Sequence, residues 1–158
     1  WYAEGTAELF GTHRWTGGKL LMGIMPASKE ETPFWGRIKA VKEAYASKTA
    51  LSLIDIMQYD SRAHLQNEAY AWCWAAAYFF NQHPYTQLAF REMKSEAKDI
   101  SLNFSRRFYD RIKDHWPQVA EDWQIFIAEC DYGYDLPRSV VARKEAIDSI
   151  EEARKRQK

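Results

Sequence analysis

Hydrophobic positions recur at helical spacing over most of this chain. Residues 1–10 read as a helix, with Trp1, Leu9 and Phe10 as apolar positions and Gly11 as its end. Gly17-Gly18 signals a turn, and residues 20–25 form a short apolar segment, loop or strand. Thr32-Pro33 has the form of a helix start, Thr as N-cap and Pro first, followed by Phe34, Ile38, Val41 and Tyr45 in register. Leu51, Leu53, Ile54 and Met57 predict a short helix. A central helix is predicted over 63–82. Its stretch 69–80 is apolar on almost every face, which places it in the middle of the fold. Pro84 stops it. A helix over 86–97 offers Leu88 and Met93 to the core, and one over 100–112 offers Phe104, Phe108 and Ile112. Pro117 opens a helix with Ala120, Trp123, Ile127 and Cys130 in register, and Gly133 follows as a stop. Leu136-Pro137 begins a last, highly charged helix or tail, in which Val140, Ile147 and Ile150 make one apolar stripe. The expected fold is all-α: six to eight helices in one irregular bundle over 1–136, with a charged helix or tail over 137–158.

Composition narrows the function classes. The 158 residues include 22 basic and 22 acidic side chains, so no cationic surplus is available to neutralise nucleic-acid phosphates. The run 69–80 is too short to span a bilayer. Only 12 residues are Gly (7) or Pro (5), against a turn-rich β fold, while aromatic residues reach 15%. Cys73 and Cys130 are too few for a disulfide framework or a zinc ribbon; buried thiols and a single bridge both remain open. No phosphate-binding glycine loop is present, and Asp110 and Asp114 interleave with Arg106, Arg107, Arg111 and Lys113, so that cluster reads as a solvated face.

The opening segment carries the candidate chemistry. Glu4 and Glu8 lie one turn apart on one helix face. Gly5 between them costs a helix about 1 kcal/mol relative to Ala, so it marks close approach of another helix or a ligand. With apolar residues on the other faces, the two carboxylates are expected to face an interior site, where they need a metal, a base or strong hydrogen bonds.

W-x-x-E-G-x-A-E-x-F over residues 1–10 resembles the downstream glutamate motif of the gluzincin zinc metallopeptidases, the peptidase MA-like superfamily. In that family an H-E-x-x-H helix supplies two His ligands and a general-base Glu, and the glutamate motif supplies the third ligand. The resemblance implies a peptide or protein substrate and zinc as cofactor. It implies Glu4 as the zinc ligand and Glu8 as a carboxylate that hydrogen-bonds a zinc-bound His. Residues 70–80 resemble a downstream helix of zinc aminopeptidases and of uncharacterised bacterial peptidase-like proteins, which implies Tyr70 as a hydrogen-bond donor to the oxyanion. Trp35, Trp72 and Trp74 are then candidate lining of the substrate cleft. Export is common among proteins of this kind; localisation is otherwise open.

The chain departs from the family in one respect. None of its four histidines, His13, His64, His83 and His115, forms H-E-x-x-H. The chain starts at Trp1, inside the predicted helix, so we expect a fragment or processed product whose H-E-x-x-H half lies upstream, inactive alone. Of the histidines, His13 is placed in a polar loop, exposed or near Glu4 and Glu8, and His83 at a cap or turn. Two other readings compete: an aromatic-rich, non-catalytic binding or scaffold module without metal, and a plain helical structural domain.

Overall fold

The computed structural model describes residues 1–59 and 67–156, with Asn67 and Ala153 described by backbone alone. His64 and the predicted start of the central helix at 63 lie outside the described residues. Four elements form the first half: α1 (Tyr2–Gly11), the hairpin β1 (His13–Thr16) and β2 (Lys19–Met22), and α2 (Arg37–Ala46). Then come α3 (Leu53–Met57), α4 (Asn67–Gln82), α5 (Gln87–Glu92), α6 (Leu102–Ile112), α7 (Trp116–Glu129) and α8 (Leu136–Arg156). The fold is all-α and multi-helical, as the periodicity predicts. Among the described residues the one sheet is the antiparallel hairpin, which pairs Trp15 with Leu20 across the Gly17-Gly18 turn. Both glycines have positive φ (56° and 74°), as a two-residue hairpin turn of this hand requires.

α4 is the axis of the molecule. Every residue from 71 to 80 is buried, and α1 and α2 pack against it most extensively. A helix apolar on all faces has no solvent side and must be surrounded, which explains its central place. Trp72 and Trp74, expected as cleft lining, are buried core residues instead; Trp74 is fully buried, with the Trp35 ring edge-on at 4.7 Å. α1 is pinned by an aromatic cluster of Trp1, Tyr2, Phe80, Phe90, Phe104 and Phe108. Its polar ends are satisfied: Trp1 Nε1 donates to Ser105 Oγ (2.8 Å) and the Tyr2 hydroxyl donates to the Phe90 carbonyl (3.0 Å). Phe104, Phe108 and Ile112 face the core from α6, and Trp123, Phe126 and Ile127 from α7.

Several sequence expectations need correction. The second helix starts at Arg37, five residues after Thr32. Phe34 and Gly36 both adopt left-handed backbone (φ 65° and 67°), so the chain cannot continue a right-handed helix from Pro33. The turn instead swings Trp35 inward. Leu88 is 69% exposed, and Phe90 takes the buried position on α5. The segment predicted as one helix over 86–97 tightens to a 3-10 turn at Met93–Glu96. Among the described side chains of α8, Leu136 and Val140 are buried in the core; Ile147 and Ile150 are about half exposed (48% and 53%). Cys73 and Cys130 are separate buried thiols, both pushed up in pKa by burial, to about 11 and about 12.

α3 is only five residues long and depends on its cap. Ser52 Oγ accepts from the Asp55 backbone N–H (3.2 Å), and Asp55 Oδ2 accepts from the Ser52 N–H (3.1 Å). Ser52→Ala is expected to lower stability by about 1 kcal/mol, read as a lower urea midpoint at unchanged slope.

Candidate functional site

Gly5 positions the site. A Cβ built on it would lie 2.4 Å from the Cys73 carbonyl oxygen and 2.9 Å from Ala77 Cβ. The close approach expected from this glycine is therefore a helix crossing, α1 on α4 at near backbone contact. That crossing brings Glu4 of α1 and Tyr70 of α4 to one groove of about 320 Å³, which Trp1, Met57, Tyr59 and Phe104 also line.

Glu4 is exposed, and among the described residues no hydrogen bond or ion pair reaches it. Glu8 is in a different setting. Arg37 grips it with two prongs, Nε to Oε2 at 2.9 Å and Nη2 to Oε1 at 2.8 Å. Trp35 Nε1 donates to Oε2 at 3.1 Å. The expectation that both carboxylates face an interior site fails: one turn of helix separates a solvated carboxylate from a half-buried one held in an ion pair. The cause is the Thr32–Gly36 turn, which delivers Trp35 and Arg37 onto Glu8 and reaches no further along α1. Phe10, expected on an apolar packed face, is 53% exposed.

Tyr70 is half-buried, and the Arg37 guanidinium carbon lies 5.5 Å from its ring centroid, within cation–π range. Arg37 thus touches both Glu8 and Tyr70, two residues the sequence motifs single out. It has no motif of its own. Its one signal in the sequence is a basic residue after Trp-Gly, too weak to select it.

Among the described residues, His13, His83 and His115 line no part of this groove. His13 is exposed on β1, and among the described residues no hydrogen bond or ion pair joins it to Glu4 or Glu8. His115 stacks on Tyr85 (4.4 Å, 11°) at the start of α7. His83 follows the last residue of α4, at the cap or turn position expected, and is fully buried, with Nε2 donating to Asp122 Oδ2 at 3.0 Å and Nδ1 accepting from the Tyr85 N–H at 3.3 Å. Asp122 (1% exposed) also accepts from Arg143 Nη2 (2.7 Å) and Gln118 Nε2 (3.2 Å). This network ties the end of α4 to α7 and α8 around a buried His83–Asp122 pair.

Zinc in a catalytic site takes three protein ligands and one open position. Among the described residues no three His, Cys, Asp or Glu side chains converge to hold a metal. Glu4 is therefore one ligand at most, and these residues do not complete a zinc site by themselves. In the basic cluster, Arg107 pairs with Glu96 and Asp99, Arg111 with Glu92 and Glu96, and Lys113 with Asp110. No described helix is long and apolar enough to cross a membrane. Compared with protein-family models, curated proteins and solved structures, the chain matches none.

Proposed function

We propose that this chain is the C-terminal helical part of a zinc-dependent metallopeptidase. In this reading Glu4 is the carboxylate ligand of a zinc site whose two His ligands and general-base Glu come from an H-E-x-x-H segment outside these residues. One observation carries the reading: Glu4 and Tyr70, drawn from two separate motifs, line the same groove. Glu8 suits its assigned part. A carboxylate offers about four lone-pair positions. Arg37 and Trp35 fill three of them, which leaves one on Oε1 for a further donor such as an imidazole N–H. Tyr70 lines the groove, and in this reading its hydroxyl donates to the oxyanion of a peptide substrate.

The test is metal content of the full-length protein. The reading requires H-E-x-x-H in the sequence upstream of Trp1 and one zinc per chain. Glu4→Gln removes the zinc while the far-ultraviolet circular dichroism stays unchanged. Glu8→Gln weakens zinc binding about 10–100-fold, the usual effect of losing a hydrogen bond to a metal-bound His. A full-length protein without H-E-x-x-H, or with that motif and no zinc, overturns the reading.

A second reading, a non-catalytic peptidase-like binding module, draws on surface aromatics. Phe34 is fully exposed despite its strained backbone, and Trp15 is 68% exposed on the hairpin. It predicts no zinc and no effect of Glu4→Gln on function, so the same measurements separate the two.

A further inference from the structure

Arg37 is the first residue of α2, reached through the left-handed turn at Phe34 and Gly36. Its guanidinium is held in two directions. The two hydrogen bonds to Glu8 fix the plane of the fork, because a bidentate pair tolerates little rotation. The same group then sits over the Tyr70 ring. Both members of the ion pair are largely removed from water, with side chains 23% (Arg37) and 17% (Glu8) exposed, so the pair is weakly screened.

An ordinary tie between α1 and α2 would need only one good contact to Glu8. Trp35 Nε1 already supplies one, anchored by Trp35 packing edge-on against Trp74. What Arg37 adds is geometry. It fixes which lone pair of Glu8 Oε1 is left open, and it places a cation against Tyr70, the residue of α4 that lines the groove with Glu4. Rotation of Glu8 about its own side chain moves the fork, and the fork moves relative to the Tyr70 ring.

We propose that Arg37 is a positioning residue of the candidate site: it sets the orientation of Glu8 and couples it to Tyr70. This rests on the peptidase reading for what the site does, but the coupling itself is a property of these three side chains and is measured without zinc.

The test uses the full-length protein labelled with 3-fluorotyrosine and treated with EDTA. Fluorine NMR reads the Tyr70 resonance, identified by its loss in Tyr70→Phe. Glu8→Gln is expected to shift that resonance in the otherwise native protein and to leave it in place in an Arg37→Met background. Arg37→Lys keeps a cation but loses the two-pronged grip, so Glu8→Gln then gives a smaller shift. A Tyr70 resonance that ignores Glu8→Gln in the native background overturns the proposal. So does an equal shift with and without Arg37. A bridge that only held α1 to α2 would change the urea midpoint without this non-additivity. If Arg37→Met does not fold, Arg37→Lys decides: a shift as large as the native one overturns the proposal, and a reduced one supports it. Failure of the peptidase reading shows separately, as absent zinc with the coupling intact.

Discussion

Gly5→Ala is expected to destabilise the protein by roughly 2–3 kcal/mol, the cost of overpacking a tight contact. At this chain length that is a fall in Tm of about 5–10 °C. The sign runs against helix propensity, since a Gly-to-Ala change inside a free helix gains about 1 kcal/mol. The reason is the added methyl's position, 2.4 Å from the Cys73 carbonyl oxygen. That atom is backbone of the central helix and cannot rotate away, so α1 as a whole has to lift. Ala77→Gly would relieve only the second contact, at 2.9 Å, and is not expected to rescue the variant. Gly11→Ala is the control: it lies in the same helix, at its C-terminal end, with nothing within 4 Å of the new Cβ. It is expected to be neutral or to stabilise by a few tenths of a kcal/mol. Thermal and urea unfolding of the three variants check the ordering. A Gly5→Ala protein as stable as the native one would mean that α1 does not cross α4 at backbone contact. The crossing also matters for the candidate site, because lifting α1 carries Glu4 away from Tyr70.

What could be read from the sequence follows from the range of the signal. Phe104, Phe108 and Ile112 repeat every fourth residue over about two turns, and that stripe alone places α6 against the core. The all-apolar run on α4 announces burial in the same way. Gly5 is legible because a glycine inside a helix has a cost that needs a reason. Short elements are harder. On α5 the six residues offer Leu88 and Phe90 nearly equal claims to the buried face, and contacts with α4 and α6 decide for Phe90. The turn at Phe34 and Gly36 overrides a good Thr-Pro helix start, because the inward position of Trp35 is a tertiary requirement that no local propensity records. Polar pairings are the least legible. Arg37 and Glu8 are 29 residues apart, and His83 and Asp122 are 39 apart. Neither pair leaves a periodic trace, so the residues that fix the geometry of Glu8 and the most buried polar network both escape a reading of the chain.

Asp122→Ala is expected to cost about 3–5 kcal/mol, the usual effect of removing one partner from a buried ionic network. It would leave the fully buried His83 Nε2–H without its acceptor, and would deprive Arg143 of its ion pair with α7. The same network makes stability depend on pH, and its sign follows from the two groups. Burial holds His83 below its ordinary pKa, against the opposing pull of Asp122. Its Nδ1 accepts from the Tyr85 N–H, so a second ring proton would face a donor. The neutral imidazole therefore stabilises the fold above the unfolded-state value of about 6.5, and that contribution is lost as pH falls below it. Asp122 is pushed up by burial, but hydrogen bonds from His83, Arg143 and Gln118 together hold it below the ordinary carboxylate value. Its contribution is present above about pH 4 and is lost on further acidification. Both groups thus predict loss of stability toward acid, beginning near pH 6.5 with a slope of up to about 1.4 kcal/mol per pH unit from His83. Urea midpoints between pH 8 and pH 4.5 measure it. His83→Gln keeps a donor toward Asp122 but cannot titrate, so it is expected to flatten the curve between about pH 6.5 and 4.5. A native protein whose stability stays level across that interval would show that the His83–Asp122–Arg143 network does not carry a neutral histidine.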